Sequence, residues 1–414
     1  MNKNKLRTMD DSEIISLLSS EVVPVEQSNR NLNYDTSNIG YALYSEVLSR
    51  SGHGHIYNST KKDLKVVSEY LRTLDIGFYE VSDYENSQEV VFDNSPNELS
   101  GKLDVPGSII KVAFNTAIKQ RPALYLNRLK DVYMVFSGRH FCIFSLNEKK
   151  IHSSSSFLLH EKVIESLVKK CETFSKVFFS GDFRGMNNVC HFSYDCLPRA
   201  LLAKDLLGYD RFLFNPTYNT DEYQAQLLDL AQIDRISLPD YSVVHFDELA
   251  FFSNVSPEDM CHPTFHYHGG LTSQLSMLGN KLPKEGQRKK FYISRKDAHT
   301  RQILNEKEVE EKLVAYGFEV IVPRQLSALE QFSVFRNAEV IVGSHGAGLT
   351  GLFFCDNSTK IIEIFNPEKG TAAYGAMSYA LGLNYDYILG EPRESEGHHD
   401  IVINIEELIE KVTY

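Results

Sequence analysis

The C-terminal third of the chain alternates short apolar runs with segments of helical spacing. The apolar runs have the length of buried strands and lie at 291–294, 319–322, 340–342 and 360–365. Helical spacing occupies 305–314, where Asn305 is the predicted N-cap, and 327–336. Strands that alternate with helices predict a parallel sheet, and this order predicts a doubly wound α/β domain.

The middle of the chain shows a similar but less regular alternation. Apolar runs at 131–136 and 140–145, on either side of Gly138, predict a β-hairpin. Further strands are predicted at 177–180, 211–214, 235–238 and 242–245. Helices are predicted at 158–170, 188–207 and 222–230. We therefore expect a second α/β domain upstream of the first.

Polar and irregular segments set the predicted domain boundaries. Residues 1–100 are polar, with helical spacing only at 10–18 and 61–74, and 254–288 is rich in Pro, Gly and polar groups. The spacing of Cys261, His262, His266 and His268 fits no standard zinc site, so we expect loop residues there and at 51–55. The predicted organisation is an N-terminal segment, an α/β domain, a linker, a second α/β domain and a C-terminal helix, at 1–100, 101–265, 266–288, 289–395 and 396–414.

Composition and charge narrow the functional classes. The chain has 414 residues, too many for a single core, and 42% of them are hydrophobic. Its formal net charge of −12 argues against nucleic-acid binding but not against a small anion beside local arginines. Six cysteines without a C-x-x-C pair predict free thiols in a reducing compartment. The sequence shows no apolar leader or membrane span, so we expect a cytoplasmic protein, with peripheral membrane association left open.

A glycine-rich turn follows the apolar run at 340–342. It reads Gly343, Ser344, His345, Gly346, Ala347 and Gly348, and the pattern predicts that a helix begins at 349–354. Backbone N–H groups at such a turn can bind an anion, and glycine lets that anion approach closely. Glu363 in the next strand suits a ribose hydroxyl. The spacing is neither a dinucleotide fingerprint nor a P-loop, so a plain tight turn is an equally good interpretation.

Two further groups of polar residues are candidates for chemistry. His191 and Asp195 are four residues apart and share a helix face, and Pro198 either kinks that helix or marks a new start. By itself, Asp195 reads as an ordinary helix carboxylate, capping or paired with Arg199. Arg295 and Arg301 follow the strand at 291–294, where open α/β sheets bind ligands, and guanidinium groups suit a diphosphate. Surface arginines in a loop are the alternative.

Three blocks of the chain together resemble glycosyltransferase family 61. The first block holds His191, Asp195 and 197–199; the second is 292–295 with Arg301 and 304–306; the third is 330–331, 338–350 and 362–363. The resemblance covers roughly residues 110–390. The family commonly has Asn after the Thr of its His-Gly-Ala-Gly-Leu-Thr string, whereas this chain has Gly351, so any contact of that Asn is missing or replaced.

The resemblance implies a GT-B fold, with two Rossmann-like domains facing a cleft and an extra N-terminal segment. It implies an inverting, metal-independent glycosyltransferase that uses a nucleotide-sugar, expected to be a UDP-sugar, and no cofactor. The 289–395 domain would hold the donor and the 101–265 domain the acceptor, a glycan or lipid-linked glycan of capsule, lipopolysaccharide or another surface polysaccharide.

The resemblance also assigns roles to individual residues. Asp195 becomes the catalytic base, with His191 beside it on the same helix face. Asn188 and Arg199 belong to the acceptor side or the cleft. The implied donor-binding residues are Arg295, Arg301, Ser344, His345, Gly346, Ala347, Gly348 and Glu363. No metal ligand is expected, because the chain contains no Asp-x-Asp sequence.

Other functional classes remain compatible with these residues. A nucleotide-sugar epimerase uses a similar cleft but needs no acceptor. A catalytically silent nucleotide- or glycan-binding module would bind UDP without turnover, although Asp195, Arg295 and Arg301 argue against it. A dinucleotide oxidoreductase is weaker, because the glycine spacing does not fit.

Overall fold

The structure is a computed structural model, and it describes only part of the chain. The described residues are 79–82, 88–92, 95–96, 120–121, 124–137, 140–152, 155, 161–181, 188–215, 221–236, 238, 243–252, 269–284, 286–298, 300–368, 373–393 and 399–413. The helices predicted at 10–18 and 61–74, the loop at 51–55 and the group from Cys261 to His268 lie outside these residues.

The strands within the described residues are, in chain order, β1 (Glu80–Ser82), β2 (Gln88–Phe92), β3 (Ser95–Pro96), β4 (Gln120–Arg121), β5 (Leu124–Ser137), β6 (His140–Ser145), β7 (Lys150–His152), β8 (Glu172–Phe179), β9 (Phe212–Leu213), β10 (Arg235–Ile236), β11 (Val243–Phe252), β12 (Lys289–Ile293), β13 (Phe318–Ile321), β14 (Ala338–Ser344), β15 (Lys360–Phe365), β16 (Asn384–Leu389), β17 (Glu391–Arg393) and β18 (Asp400–Val402).

The α-helices within the same residues are α1 (Glu161–Leu167), α2 (Val189–His191), α3 (Leu197–Leu207), α4 (Asp221–Ala231), α5 (Gly269–Gly279), α6 (Glu306–Ala315), α7 (Ala328–Arg336), α8 (Ala373–Ala380) and α9 (Ile405–Thr413). Three-residue 3₁₀ helices occupy Val168–Lys170 and Pro323–Gln325, and a longer one occupies Ala347–Phe354. None of the helices in the described parts of the chain has the length and apolar character that a bilayer crossing requires.

Contacts divide the chain into two compact units. The first consists of Met1–Gln88, Arg128–Val177 and Leu238–Ala250, and the second of Glu89–Asn127, Phe178–Ser237 and Phe251–Tyr414. Every candidate site residue named from the sequence lies in the second unit. Units of packing need not be independently folding domains, so the predicted domain boundaries stay a prediction.

The first unit is built around a sheet in which β1, β7, β6, β5, β11 and β8 lie in that order. β5 and β6 pair antiparallel, with Tyr133 opposite Phe144, which confirms the predicted hairpin. Its core is a cluster of buried side chains: Tyr79, Val135, Cys142, Phe144, Ile151, Ile164 and Val243.

The second unit contains a five-stranded parallel sheet with the order β13-β12-β14-β15-β16. Tyr292 of β12 lies opposite Val320 of β13 on one side and opposite Val342 of β14 on the other. The chain therefore leaves β12 toward one side and returns to the other, so the strand order reverses between β12 and β14. This confirms the predicted parallel α/β sheet, and ligands bind at the carboxyl edge of such a reversal point.

Buried aliphatic strands explain why this sheet forms. All of β15 after its first residue is buried, and so is β14 apart from Glu339, which is typical of parallel strands covered on both faces. Helices α6 and α9 supply part of the cover, through Val309, Leu313 and Leu408. Asn305 occupies the predicted N-cap position of α6, but its side chain makes no capping hydrogen bond and instead binds Ile403.

Two predicted helices differ in detail from the observed ones. The segment 188–207 is divided into α2, a π-helical turn at Phe192–Cys196 and α3, which has Pro198 near its first position. The Pro198 ring would clash with the carbonyl four residues earlier in an α-helix, and the wider turn removes that clash. The backbone stays helical through Cys196 and Leu197, so Pro198 lies in a continuous helical segment just after the π-helical turn. The segment predicted as a helix at 349–354 is the 3₁₀ helix Ala347–Phe354.

Candidate active site

A histidine–carboxylate pair lies on the short helix α2 and the π-helical turn that follows it. The His191 Nδ1 and Asp195 Oδ2 atoms are 2.8 Å apart. The Asp195 side chain is fully buried, whereas 25% of the His191 side chain is exposed. Asn188 accepts hydrogen bonds from the N–H groups of Cys190 and His191, so its role here is to cap α2. The atom of this pair that a ligand can reach is therefore on the imidazole.

Buried hydrogen bonds fix the turn that carries this pair. The Tyr194 hydroxyl donates to the carbonyl of Thr350, in the 3₁₀ helix after the glycine-rich turn, at 2.6 Å. Burial, and then the nearby Cys190 thiol, raise the pKa of Tyr194 well above its ordinary value, so the phenol stays a donor. The Ser180 hydroxyl donates to the carbonyl of Cys196 at 2.6 Å. The pair is thus held against the glycine-rich segment.

Two arginines meet at the glycine-rich turn. The Arg295 Nη2 atom donates to the carbonyl of Thr300 at 3.1 Å, and the Arg301 Nη1 atom donates to the carbonyl of His345 at 3.3 Å. A Cβ added to Gly346 would collide with Arg295 Nη1 and lie 3.7 Å from Arg301 Nη2. Gly346 also has a φ of 156°, which side chains disfavour. Glycine is therefore required between the two guanidinium groups.

The arginines carry a local positive charge that no carboxylate of the described residues pairs with directly. Among the described residues, neither Arg295 nor Arg301 forms an ion pair with an acid. Burial, and then the Arg301 charge, lower the pKa of Arg295, as expected for neighbouring cations away from solvent. Two guanidinium groups at the carboxyl edge of β12 and β14 have the charge and donor geometry that suit an anion with several oxygens.

Glu306 fixes the point where the arginine loop leaves the sheet. Its Oε1 atom accepts hydrogen bonds from the Tyr292 hydroxyl at 3.1 Å, the Ser294 hydroxyl at 2.7 Å and the Arg295 N–H at 2.8 Å. Sequence reasoning included Glu306 in a motif but gave it no role. An acid in the first turn of a helix is too common to signal such a contact.

A second histidine–carboxylate pair joins the residue after β14 to the neighbouring strand β15. The His345 Nδ1 and Glu363 Oε1 atoms are 2.6 Å apart, and the Tyr385 hydroxyl of β16 donates to Glu363 Oε2 at 2.8 Å. The Glu363 side chain is fully buried and 11% of the His345 side chain is exposed. The imidazole stacks on Phe365, with ring centroids 5.2 Å apart. Both Glu363 oxygens are therefore engaged inside the protein.

One aromatic side chain connects the two pairs. Tyr374 of α8 lies edge-on to His345, with ring centroids 5.6 Å apart, and its hydroxyl lies 3.5 Å from the Cys190 sulfur, next to His191. Tyr374 is buried. Sequence reasoning missed it, because the sequence does not show which aromatic of a short helix faces a site.

Most of the remaining predicted site residues are buried or closely packed against other parts of the protein. Ser344 and Arg199 are buried. A Cβ on Gly348 would lie 3.1 Å from Ile293 Cγ2, and Gly348 does not adopt a positive φ, so the special backbone position in this turn is Gly346. A Cβ on Gly351 would collide with the Phe335 ring of α7. Close packing of Phe335 thus accounts for the glycine at the position where the family commonly has Asn.

Within the part of the chain that the structure describes, no group of three or more His, Cys, Asp or Glu side chains is arranged to hold a metal ion. The predicted metal independence is a statement about the reaction and stays a prediction.

The fold and the site together define a class. A parallel α/β sheet with two arginines at its reversal point is typical of proteins that bind phosphorylated ligands. Residues 189–362 match the family model described as Glycosyltransferase 61. This match confirms the resemblance to glycosyltransferase family 61, over a shorter range than the 110–390 expected. The match includes both histidines and both arginines and ends one residue before Glu363.

Curated relatives are similar to part of the chain. An EGF domain-specific O-linked N-acetylglucosamine transferase of Drosophila melanogaster is 33% identical over 116 residues, which is 26% of this chain and 22% of that protein. The protein of the same name from Rattus norvegicus is 34% identical over 96 residues, 22% of this chain and 18% of its own length. The one from Gallus gallus is 28% identical over 156 residues, 34% and 28% of the two chains. The chain therefore spans less than a third of each of these relatives.

Among solved structures, the bacterial iron-containing dodecameric glycosyltransferase TibC from enterotoxigenic E. coli H10407 is similar at a TM-score of 0.26 and 11% sequence identity. The similarity covers 62% of this chain and 78% of that one. A similarity at this level carries no argument about fold or function.

Proposed function

We propose that this chain is an inverting glycosyltransferase that moves a sugar from a UDP-sugar to an acceptor hydroxyl. The observation that carries the proposal is the meeting of Arg295 and Arg301 across Gly346, at the carboxyl edge where the strand order reverses. An inverting transfer needs a group that holds the departing diphosphate and a base for the acceptor. The arginines suit the first requirement, and the His191–Asp195 pair of the same unit suits the second.

The donor diphosphate would lie over Gly346, between the two guanidinium groups. Forked N–H donors match the geometry of phosphate oxygens, and burial strengthens these bonds. The N–H of Leu349 already donates to the carbonyl of Gly346, so the amides before it, those of Ala347 and Gly348, are the ones a 3₁₀ helix start leaves for a ligand. The buried Ser344 ends β14, three residues before Ala347.

Only the imidazole of the His191–Asp195 pair is exposed, and this changes which of the two residues we assign as the base. Asp195 is fully buried and one of its oxygens contacts His191 Nδ1. We therefore assign proton uptake to His191 Nε2, while Asp195 keeps the proton on Nδ1 and stabilises the imidazolium that forms. The acceptor oxygen attacks the anomeric carbon as its proton passes to Nε2. The bond from that carbon to the diphosphate breaks, and the arginines take up the released charge.

The second pair belongs to the donor side in this proposal. Because both Glu363 oxygens are engaged by His345 and Tyr385, we assign Glu363 to orientation of the imidazole instead of ribose binding. His345 Nε2 would donate to a phosphate or ribose oxygen. Asn188 caps the helix of the first pair and Arg199 is buried in α3, and we assign both to the acceptor side of the site.

The proposal includes three finer features. The arginines would replace a metal at the diphosphate, so transfer would survive a chelator. The chain would adopt a GT-B arrangement. The names of the relatives make N-acetylglucosamine and a hydroxyl of an EGF domain the first sugar and acceptor to test. A glycan hydroxyl in capsule or lipopolysaccharide synthesis is the second choice of acceptor, and a cytoplasmic location stays a prediction.

Nucleotide binding and product release test the proposal in sequence. Thermal shift with UDP, GDP, CMP and their sugars would select the nucleotide, because a ligand of the folded state raises the melting temperature. UDP release from UDP-N-acetylglucosamine and other UDP-sugars would then be measured in EDTA, with a folded EGF domain or oligosaccharides as acceptors. Arg295→Ala should weaken UDP binding but hardly uridine binding, and Arg393→Ala, an exposed arginine paired with Glu391, is the matched control.

Four results would contradict the proposal in different ways. Absence of nucleotide binding would remove the donor site altogether. Conversion of a UDP-sugar without an acceptor would indicate an epimerase, and UDP binding without turnover on any acceptor would favour a silent binding module. Activity that is lost in EDTA and restored by manganese or magnesium would contradict only the claim of metal independence and would leave the rest of the proposal standing.

A further inference from the structure

The loop that carries both arginines has an unusual backbone conformation at Arg301. Its φ is 58°, in the left-handed region that residues with a side chain rarely adopt. This conformation is unfavourable by itself, so neighbouring groups must hold it. It matters for the site, because it sets the direction from which the Arg301 guanidinium reaches the carbonyl of His345.

The groups that hold the loop come from residues 399–403 near the C-terminus, which we name the C-terminal clamp. Asp400 Oδ1 accepts a hydrogen bond from the N–H of Gln302, directly after Arg301, at 2.8 Å. The Ile401 N–H donates to the carbonyl of Gln302 at 3.0 Å, and the Leu304 N–H donates to the carbonyl of Ile401 at 2.8 Å. One side-chain bond and two backbone bonds therefore secure the residues that follow Arg301.

Two hydrogen bonds between Asn305 and Ile403 extend the contact between the arginine loop and the clamp. The Asn305 side chain donates to the carbonyl of Ile403 at 2.9 Å and accepts from the Ile403 N–H at 3.0 Å. This contact explains why the Asn305 side chain does not cap α6. The clamp thus runs alongside the loop in one fixed register, with Ile303 and Ile401 as a parallel bridge.

The clamp is itself tied to the sheet. The Asn366 side chain, just after β15, donates to the carbonyl of His399 at 2.8 Å. His399 also has a positive φ of 57°, and the next residue, Asp400, is only 6% exposed. The position of the Asp400 carboxylate beside the Gln302 N–H is therefore fixed by the surrounding structure.

We propose that Asp400 is a positioning residue for Arg301: it holds the left-handed backbone that aims this guanidinium at the donor diphosphate. The inference rests on the proposed function. Without an oxygen at position 400, the Gln302 N–H loses its partner and the strained conformation of Arg301 loses its support. The effect should fall on the diphosphate, which Arg301 contacts, and not on the nucleoside.

The test compares two substitutions of similar size. Asp400→Asn keeps an oxygen acceptor for the Gln302 N–H, whereas Asp400→Leu removes it. Affinities for UDP, uridine and inorganic pyrophosphate would be measured by calorimetry in protein shown to be folded by circular dichroism. We expect Asp400→Leu to weaken UDP and pyrophosphate binding about tenfold and uridine binding less than twofold, while Asp400→Asn stays close to the parent protein. Asp400→Ala replaces Asp400→Leu if the leucine variant does not fold.

A double substitution separates positioning from general support of the fold. In an Arg301→Ala background the guanidinium is absent, so Asp400→Leu should weaken UDP binding by less than about twofold more. Asp386→Asn is the matched control, because it breaks the 2.8 Å ion pair with Lys411 of α9 in the same unit but does not contact the loop. Its UDP affinity should equal that of the parent.

The outcomes separate this inference from the function on which it rests. Equal weakening of UDP and uridine by Asp400→Leu, or full additivity with Arg301→Ala, would overturn the positioning role. So would a loss in Arg301→Ala with no loss in Asp400→Leu. Failure of the parent protein to bind UDP or pyrophosphate would overturn the proposed function, and the inference with it.

Discussion

The two histidine–carboxylate pairs of the second unit have almost the same chemistry but different construction. His191 and Asp195 are 2.8 Å apart and belong to one helical segment. His345 and Glu363 are 2.6 Å apart; His345 directly follows β14, and Glu363 belongs to the neighbouring strand β15. In each pair a fully buried carboxylate contacts Nδ1 of a partly exposed imidazole. The two pairs also differ in their neighbours, because two arginines and a tyrosine lie close to the second pair.

This difference teaches that the same pair can serve opposite purposes. A carboxylate on Nδ1 keeps a proton there, so Nε2 is an acceptor when the ring is neutral and a donor when it is charged. Beside an acceptor hydroxyl, the neutral form of His191 can take a proton. Beside a diphosphate, the charged form of His345 can donate to an oxygen. A carboxylate-to-amide substitution should therefore affect the two pairs very differently.

The largest expected effect is the loss of the first imidazole. His191→Ala should lower turnover about a thousandfold, within the usual range for a general base, because no other group named here would accept the proton. UDP affinity should change little. Steady-state rates of UDP release and a UDP titration on the same preparation would measure both. Near-normal turnover in folded His191→Ala protein would exclude His191 as the base.

The second largest effect is expected for Asp195→Asn, which should lower turnover roughly a hundredfold or more. The amide would donate to Nδ1 and leave the proton on Nε2, so the imidazole could no longer accept one. Nitrogen-15 NMR of the histidine rings would report the change of tautomer. An unchanged His191 tautomer together with reduced turnover would mean that Asp195 acts as the base itself.

Substitutions in the donor-binding turn should lower the affinity for UDP and not the turnover rate. Gly346→Ala should weaken UDP binding about tenfold, or about 1.4 kcal/mol, because the added carbon would displace the Arg295 guanidinium. Gly348→Ala is the matched control, since its added carbon meets Ile293 and not an arginine. We expect it to lower the melting temperature and to leave UDP affinity within about threefold. Equal affinity losses would mean that the turn as a whole, and not Gly346, admits the donor.

The smallest expected effect belongs to the second carboxylate. Glu363→Gln should weaken UDP binding only about fivefold, because the imidazole keeps an Nε2 donor and loses only the charge assistance to that bond. Tyr385→Phe should have a still smaller effect, since Glu363 keeps its contact with His345. Calorimetry with UDP would rank the two variants. A hundredfold loss of turnover in Glu363→Gln at saturating donor would contradict the distinction between the pairs.

The sequence predicted four of the five parallel strands, β12 to β15, because each is a short, continuous apolar run. It did not predict β16, whose residues Asn384–Leu389 include several polar side chains and are mostly only partly buried. The strand predicted at 360–365 has the observed bounds of β15. The pairing of His191 with Asp195 was also foreseeable, since both lie within one helical turn. Local spacing carries that information, and it requires no knowledge of the rest of the chain.

Contacts between distant segments could not be predicted in this way. Tyr374 and Tyr385 reach the site from α8 and β16, and Asp400 reaches the arginine loop from 98 residues away. The sequence also drew attention to Glu363 but suggested a different partner, because the direction of a buried side chain depends on its neighbours across the sheet. The role of Gly351 became evident only from the position of Phe335.

The central claim is that the His191 pair moves the acceptor proton while the His345 pair holds the donor. The most direct test is the single-turnover rate of sugar transfer at saturating UDP-sugar, compared between Asp195→Asn and Glu363→Gln. We expect a loss of roughly a hundredfold or more in Asp195→Asn and of less than about fivefold in Glu363→Gln. Equal losses in the two variants, or a larger loss in Glu363→Gln, would contradict the claim.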